Sequence, residues 1–168
     1  SPMMGIYPHT YPKLPYDPVA DFIPVSLGAV FDLAFAIGPL VPATVKTLPT
    51  FFEWCKANRG VANFGPPAAG SSPHFMGTMA AQAAGVELTH VPFRGTVPAI
   101  SDMVGGQIAA VATPLGDLMP FVEAGRCRLL ATTGEKRSRF SPTVPTFAEM
   151  GYKNLVLTDW FAFLVAAK

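Results

Sequence analysis

The sequence predicts an α/β domain, a mostly parallel sheet flanked by helices, and three observations carry that expectation. A unit of short apolar strand, Gly/Ser/Thr/Pro joint and helix recurs along the chain, which is the pattern of successive βαβ connections. The strands of that unit are short and mostly apolar, as strands buried on both faces of a sheet are. Half of the 168 residues are hydrophobic and only 14% are charged, which is enough side chain for one core, while 18 Pro and 15 Gly are too many for a helical bundle.

Residues 1–24 hold Pro2, Pro8, Pro12, Pro15, Pro18 and Pro24 and read as an extended arm, because each proline lacks an N–H and biases its predecessor away from helix. Two apolar runs, 25–31 and 33–37, read as strands. Thr47 is the expected N-cap of a helix through Phe51, Phe52, Trp54 and Cys55 that stops at Gly60. The repeating unit then begins, with strand 61–64, joint 65–72 and helix 73–84, in which Ser72 is the N-cap and Pro73 the first helical residue. Strand 88–91 leads through joint 92–96 into helix 97–104, and strand 108–112 through Thr113-Pro114 into helix 115–124. After strand 128–132 comes a polar loop, 134–143, whose Glu135, Lys136, Arg137 and Arg139 form a solvated surface. Thr146 and Glu149 stand at capping-box spacing for one short helix closed by Gly151, and an apolar strand occupies 160–168.

Composition narrows the function classes. Twelve basic and 11 acidic residues, spread thinly for a net charge of +1, leave no electrostatic footprint for nucleic acid or an anionic membrane. The most apolar stretch, 25–45, is broken by Asp32, Pro39 and Pro42, so no direct membrane insertion is expected. Ser1-Pro2-Met3-Met4 begins no basic-then-apolar targeting segment. Cys55 and Cys127 form no CxxC and have no His at ligand spacing, which points to buried free thiols, with neither metal nor cofactor.

Chemistry concentrates in Phe64-Gly65-Pro66-Pro67-Ala68-Ala69-Gly70-Ser71-Ser72-Pro73-His74. A loop in which Gly65 and Gly70 permit close backbone approach, delivering unpaired N–H groups at a helix start, is suited to an anion. The spacing from Gly65 to Gly70 matches the first part of a phosphate loop, but Ser71 stands where the phosphate-reaching Lys belongs, so a nucleotide is disfavoured. A carboxylate needs only a few N–H and O–H donors. Spacing alone fits an ordinary capped helix equally well. Two further joints, at Gly95-Thr96 and at Thr113, share the design, and strand-to-helix joints of a parallel sheet fall on one edge, where open α/β sheets bind ligands. Arg94 is the one cation in these joints and no carboxylate accompanies it, so a solute with an ammonium group is disfavoured. No GxSxG elbow exists and His74 is poorly placed to activate Ser72, so catalysis is not expected.

The same residues carry a resemblance. Tyr11-Pro12-Lys13-Leu14-Pro15-Tyr16-Asp17-Pro18, Asp21-Phe22-Ile23-Pro24-Val25, Gly70-Ser71-Ser72-Pro73-His74, His90-Val91-Pro92-Phe93-Arg94-Gly95 and Val144-Pro145-Thr146 resemble, in order along nearly the whole chain, the Bug-type solute-binding receptors of tripartite tricarboxylate transporters. The resemblance implies a three-layer, Rossmann-like lobe of a type II periplasmic binding protein, a periplasmic location and service to membrane transporter subunits. It also implies that this is the second lobe alone: 1–24 a crossing arm, 25–159 the ligand-binding lobe, and 160–168 a strand returning to an absent first lobe. The ligand-binding residues implied are Gly65, Ala69, Gly70, Ser71, Ser72, Gly95, Thr96 and Thr113, holding a small organic carboxylate. Relatives often bear Asp-Asn where this chain has Thr113-Pro114. The rival expectation is a ligand-sensing regulatory domain of similar two-lobed plan.

Overall fold

A computed structural model describes residues 2–167. Six strands and six helices follow one another as α1 (Pro2–Gly5), α2 (Tyr7–Thr10), β1 (Phe22–Ile37), α3 (Leu48–Ala57), β2 (Asn63–Gly65), α4 (Ser72–Ala83), β3 (Thr89–His90), α5 (Thr96–Val104), β4 (Ala110–Pro114), α6 (Leu115–Glu123), β5 (Arg128–Thr132) and β6 (Thr158–Ala166). The sheet runs β3-β2-β4-β1-β5, with β6 paired to β1. β2 is parallel to β3 and β4, whereas β1 is antiparallel to both β4 and β5. Four of these five strands therefore share one direction, and the sheet is mixed because β1 runs against them between β4 and β5.

Strand β1 is one 16-residue element rather than the two expected strands, and it serves two structures. Its residues 33–37 are buried between β4 and β5, while residues 22–32 pair with β6 in a two-stranded antiparallel ribbon. Successive side chains of a strand point to opposite faces, so Leu33, Phe35 and Ile37 enter one core with Phe51, Phe64 and Met76, and Ala34 and Ala36 enter the other with Ile100, Met103 and Leu118. Bulk is matched across the sheet: Phe35 lies opposite Ala112 and its ring packs 5.6 Å from that of Phe51. Replacing a ring so enclosed by Ala costs about 3–5 kcal/mol. Cys55 and Cys127 are free and lie in the two separate cores, with the sheet between them. Burial pushes their thiols up to about 12 and about 11, which keeps them as inert apolar groups.

Several local expectations are corrected. The arm is not extended throughout: α1 and α2 are single helical turns, with Pro2 and Pro8 at the start of each, where the missing N–H is one the first turn does not use. Beyond them, Asp17 Oδ1 accepts from the N–H groups of Val19 and Ala20, at 2.8 and 2.9 Å, and holds a turn into β1. Thr47 caps α3 as expected, in a reciprocal arrangement with Thr50, but the helix closes on Asn58 and Gly60 falls in the 3-10 turn that follows. The box at Thr146 and Glu149 forms, with bonds of 2.8 and 3.2 Å, yet the chain continues as a turn. Gly151 reverses it at φ 91° before a helix can propagate past its costly first turn. Lys168, the end of the expected terminal strand, and Ser1 lie outside the described residues. No helix among the described residues is long and apolar enough to cross a membrane.

Candidate functional site

Strands β2, β3 and β4 are parallel, so the joints that follow them open on one edge of the sheet. The N-termini of α4, α5 and α6 converge there. The first two joints are tied together, the N–H of Gly95 donating to Pro67 O at 2.7 Å. Gly70 and Gly95 both hold positive φ, 71° and 114°, which a side-chain-bearing residue adopts with strain. Gly65 is needed for a different reason: a Cβ there would lie 2.6 Å from the Phe93 ring and 2.8 Å from Ile108, so its close approach is to the protein's own side chains.

The donor inventory of the first joint differs from the sequence expectation. Ser71, not Ser72, occupies the N-cap position of α4, and Ser72 and Pro73 are its first two residues. Ser71 is buried and spends its hydroxyl proton on Ala68 O at 2.7 Å. The Gly70 N–H donates to Nδ1 of His74 at 3.1 Å. Among the described residues this leaves the N–H groups of Ser71, Ser72 and His74 and the Ser72 hydroxyl without an intramolecular partner. Ser72 is the half-buried side chain among them, and it stands at the positive end of a 12-residue helix. Ala69 is exposed on the same loop.

At the second joint Gly95 is the N-cap of α5 and Thr96 its first residue, the Thr96 hydroxyl making no bond among the described residues. Arg94 is exposed and makes no ion pair or hydrogen bond among them. Thr113 is wholly buried at the end of β4, and its hydroxyl lies 3.3 Å from Pro114 O. Its side chain is thus closed to a solute in this arrangement. Thr96 and Gly116 also border a groove of about 970 Å³ between α5 and α6, with Asp117 and Arg126 on its walls.

Sequence reasoning missed Asp32. Leu33 pairs with Pro114, so the neighbouring Asp32 falls beside the third joint, where it lines a cavity of about 450 Å³ with Phe31, Leu115, Gly116, Met119 and Phe140. Burial pushes its carboxyl above the ordinary value of 3.8. The joints themselves contain no carboxylate, as expected, but the antiparallel strand β1 delivers one beside the third. The signal was present as the single charge in an apolar run, but its edge could not be assigned until the direction of β1 was known. His90 is half-buried, with Nε2 enclosed and without a partner. Among the described residues no group of three His, Cys, Asp or Glu could hold a metal ion.

The arrangement is found again in solved structures. A protein described as a periplasmic transporter superposes with a TM-score of 0.90 at 35% identity, covering 98% of this chain and 55% of that one. The R. palustris protein Rpa4515, described with adipate, gives 0.85 at 28% identity over 94% of this chain and 52% of its own. A mixed sheet with helices on both faces and joints on one edge thus defines an α/β lobe of the type II periplasmic binding-protein plan. Within that class, residues 2–168 match the tripartite tricarboxylate transporter family receptors, and the chain belongs to that family. Protein BugT of Bordetella pertussis (strain Tohama I) is 31% identical over 153 residues, which make up 91% of this chain and 46% of BugT. The chain spans about half the length of the curated relatives it matches.

Proposed function

We propose that this chain is the second lobe of a two-lobed, non-catalytic periplasmic receptor that captures a small organic carboxylate and presents it to the membrane subunits of a tripartite tricarboxylate-type transporter. The observation that carries the reading is the convergence of three helix N-termini on one sheet edge, with free N–H donors at Ser72 and His74 and a free hydroxyl at Ser72. Such donors suit a carboxylate, and Rpa4515 is a relative of the same fold described with one. Gly65, Gly70 and Gly95 shape the loops, Ser71 braces the first, and Ser72 and Thr96 supply side-chain donors, with Ala69 and Thr113 at the margin. The ribbon of residues 22–32 and 158–166 exposes Val25, Leu27, Phe161 and Phe163, which fits a crossing segment covered by the other lobe. Titrating adipate, succinate and malate into the two-lobed protein by calorimetry tests the reading: micromolar binding of at least one, without turnover, is expected. Failure of all three, or consumption of the solute, would overturn it.

A further inference from the structure

The side chain of His74 is not aimed outward with the free donors of its helix. It folds back, and its Nδ1 accepts the N–H of Gly70, the residue before the N-cap. The geometry resembles a capping box shifted by one residue, in which a side chain at the third helical position reaches back to a loop N–H. Gly70 is held at φ 71° within this ring, and Ser71 is pinned across it to Ala68. Accepting that bond requires the Nδ1 lone pair, so the ring is neutral with its proton on Nε2. The groups packed on the ring are Phe64 of β2, nearly parallel at 6.4 Å, Phe75 of its own helix at 5.5 Å, His90 of β3 at 4.3 Å, and the Gly70 backbone. His90 is the one titratable group among these, and its Nε2 is buried without an acceptor.

We infer that His74 is a positioning residue for the anion loop, holding Gly70 and the free donors of the α4 N-terminus in place through a neutral imidazole that His90 backs, and that acidification releases this lock and weakens solute capture. The inference rests on the receptor reading above. A proton on His74 Nδ1 would face the Gly70 N–H, donor against donor. It would also place a cation in the first turn of α4, against the helix dipole, and beside a second imidazole with no counter-ion among the packed groups. Both rings are held below their ordinary 6.5, His74 by burial and His90 by burial and then by His74. The sign follows: below about 6.5 the unfolded chain takes up protons that the folded rings resist, so stability present at neutral pH is lost as pH falls through the folded values.

Nitrogen-15 and amide NMR of the 168-residue chain and adipate titrations of the two-lobed protein test this together. At pH 7.5 His74 should show an unprotonated Nδ1, and the Gly70 amide should move with the titration of His74. His74→Asn, whose Oδ1 can take the place of Nδ1, should keep the Gly70 shift and bind adipate within about threefold of the parent, whereas His74→Phe should lose both, with binding weakened about tenfold. Between pH 7.5 and 5 parental affinity should fall about tenfold more than that of His74→Asn, a comparison in which the protonation of adipate itself cancels. A protonated Nδ1, a Gly70 amide indifferent to His74→Phe, or tighter binding at pH 5, as a directly contacting imidazolium would give, overturns the lock. If the parent binds no carboxylate at pH 7.5 the receptor reading fails instead, and with it the role in capture, while the NMR result still decides the tautomer and the Gly70 bond.

Discussion

Replacing Ser72 by Ala tests the proposed solute contact apart from loop bracing, because Ser71 holds the N-cap position and ties its hydroxyl to Ala68 O while the Ser72 hydroxyl has no partner among the described residues. Ser72 is the first residue of α4 and its hydroxyl has no intramolecular partner among the described residues, so its removal leaves no buried group unpaired. Stability should therefore change by no more than about 0.5 kcal/mol. A hydrogen bond to a charged carboxylate is worth about 1.5–3 kcal/mol, which is about 10- to 150-fold in affinity. Ser71→Ala should behave in the opposite way: its buried hydroxyl holds Ala68 O at 2.7 Å, and losing that bond costs about 1–3 kcal/mol of stability. Its effect on binding would come only through the loop it braces. Denaturant unfolding and calorimetric titration of adipate into the two-lobed protein give both quantities for both variants. Unchanged affinity in Ser72→Ala would remove Ser72 from the site, and a stability loss of a full kcal/mol or more would mean that it caps the helix after all.

Other expectations follow from particular contacts. A Cβ at Gly77 would run into the Phe64 ring, so Gly77→Ala should cost about 1–3 kcal/mol in denaturant unfolding, and an unchanged midpoint would contradict the helix-on-strand packing. The Asp32 carboxyl, raised by burial, holds a proton in the folded state that the unfolded chain gives up near 3.8. That contribution is full below this value and is lost as pH rises through the folded one, so Asp32→Asn should be the more stable protein at pH 7. The same change removes a negative charge beside the third joint and should tighten adipate binding on the order of twofold or more, whereas glutamate, whose ammonium Asp32 could pair, should bind less well; equal effects on the two solutes would put Asp32 outside the site. The 168-residue chain alone should bind adipate only in the millimolar range, since one lobe cannot enclose a ligand, and a micromolar dissociation constant by calorimetry would contradict the two-lobed reading.

What the sequence determined by itself is what rests on neighbouring residues. Thr47 with Thr50, Pro73 in the first turn of α4 and the strand 128–132 with its apolar middle each state their local structure, because caps, first-turn prolines and buried strands act over four or five residues. The recurring joints likewise announced an α/β lobe and the sheet edge on which its helix N-termini gather. What the tertiary structure decided depends on partners distant in the chain. The direction of β1 could not be read, since residues 33–37 are apolar on both faces and a two-sided strand has no alternation to orient it. With that direction came Asp32 at the third joint, 82 residues before Pro114, with which its neighbour Leu33 pairs. The allocation of donors was hidden for a related reason: Ser71 and Ser72 are chemically alike, and only the fold of the loop turned one hydroxyl to Ala68 and left the other free. His74 and His90, on different elements, became a contacting pair of tilted rings because parallel pairing of β2 with β3 sets Phe64 beside His90 under the start of α4.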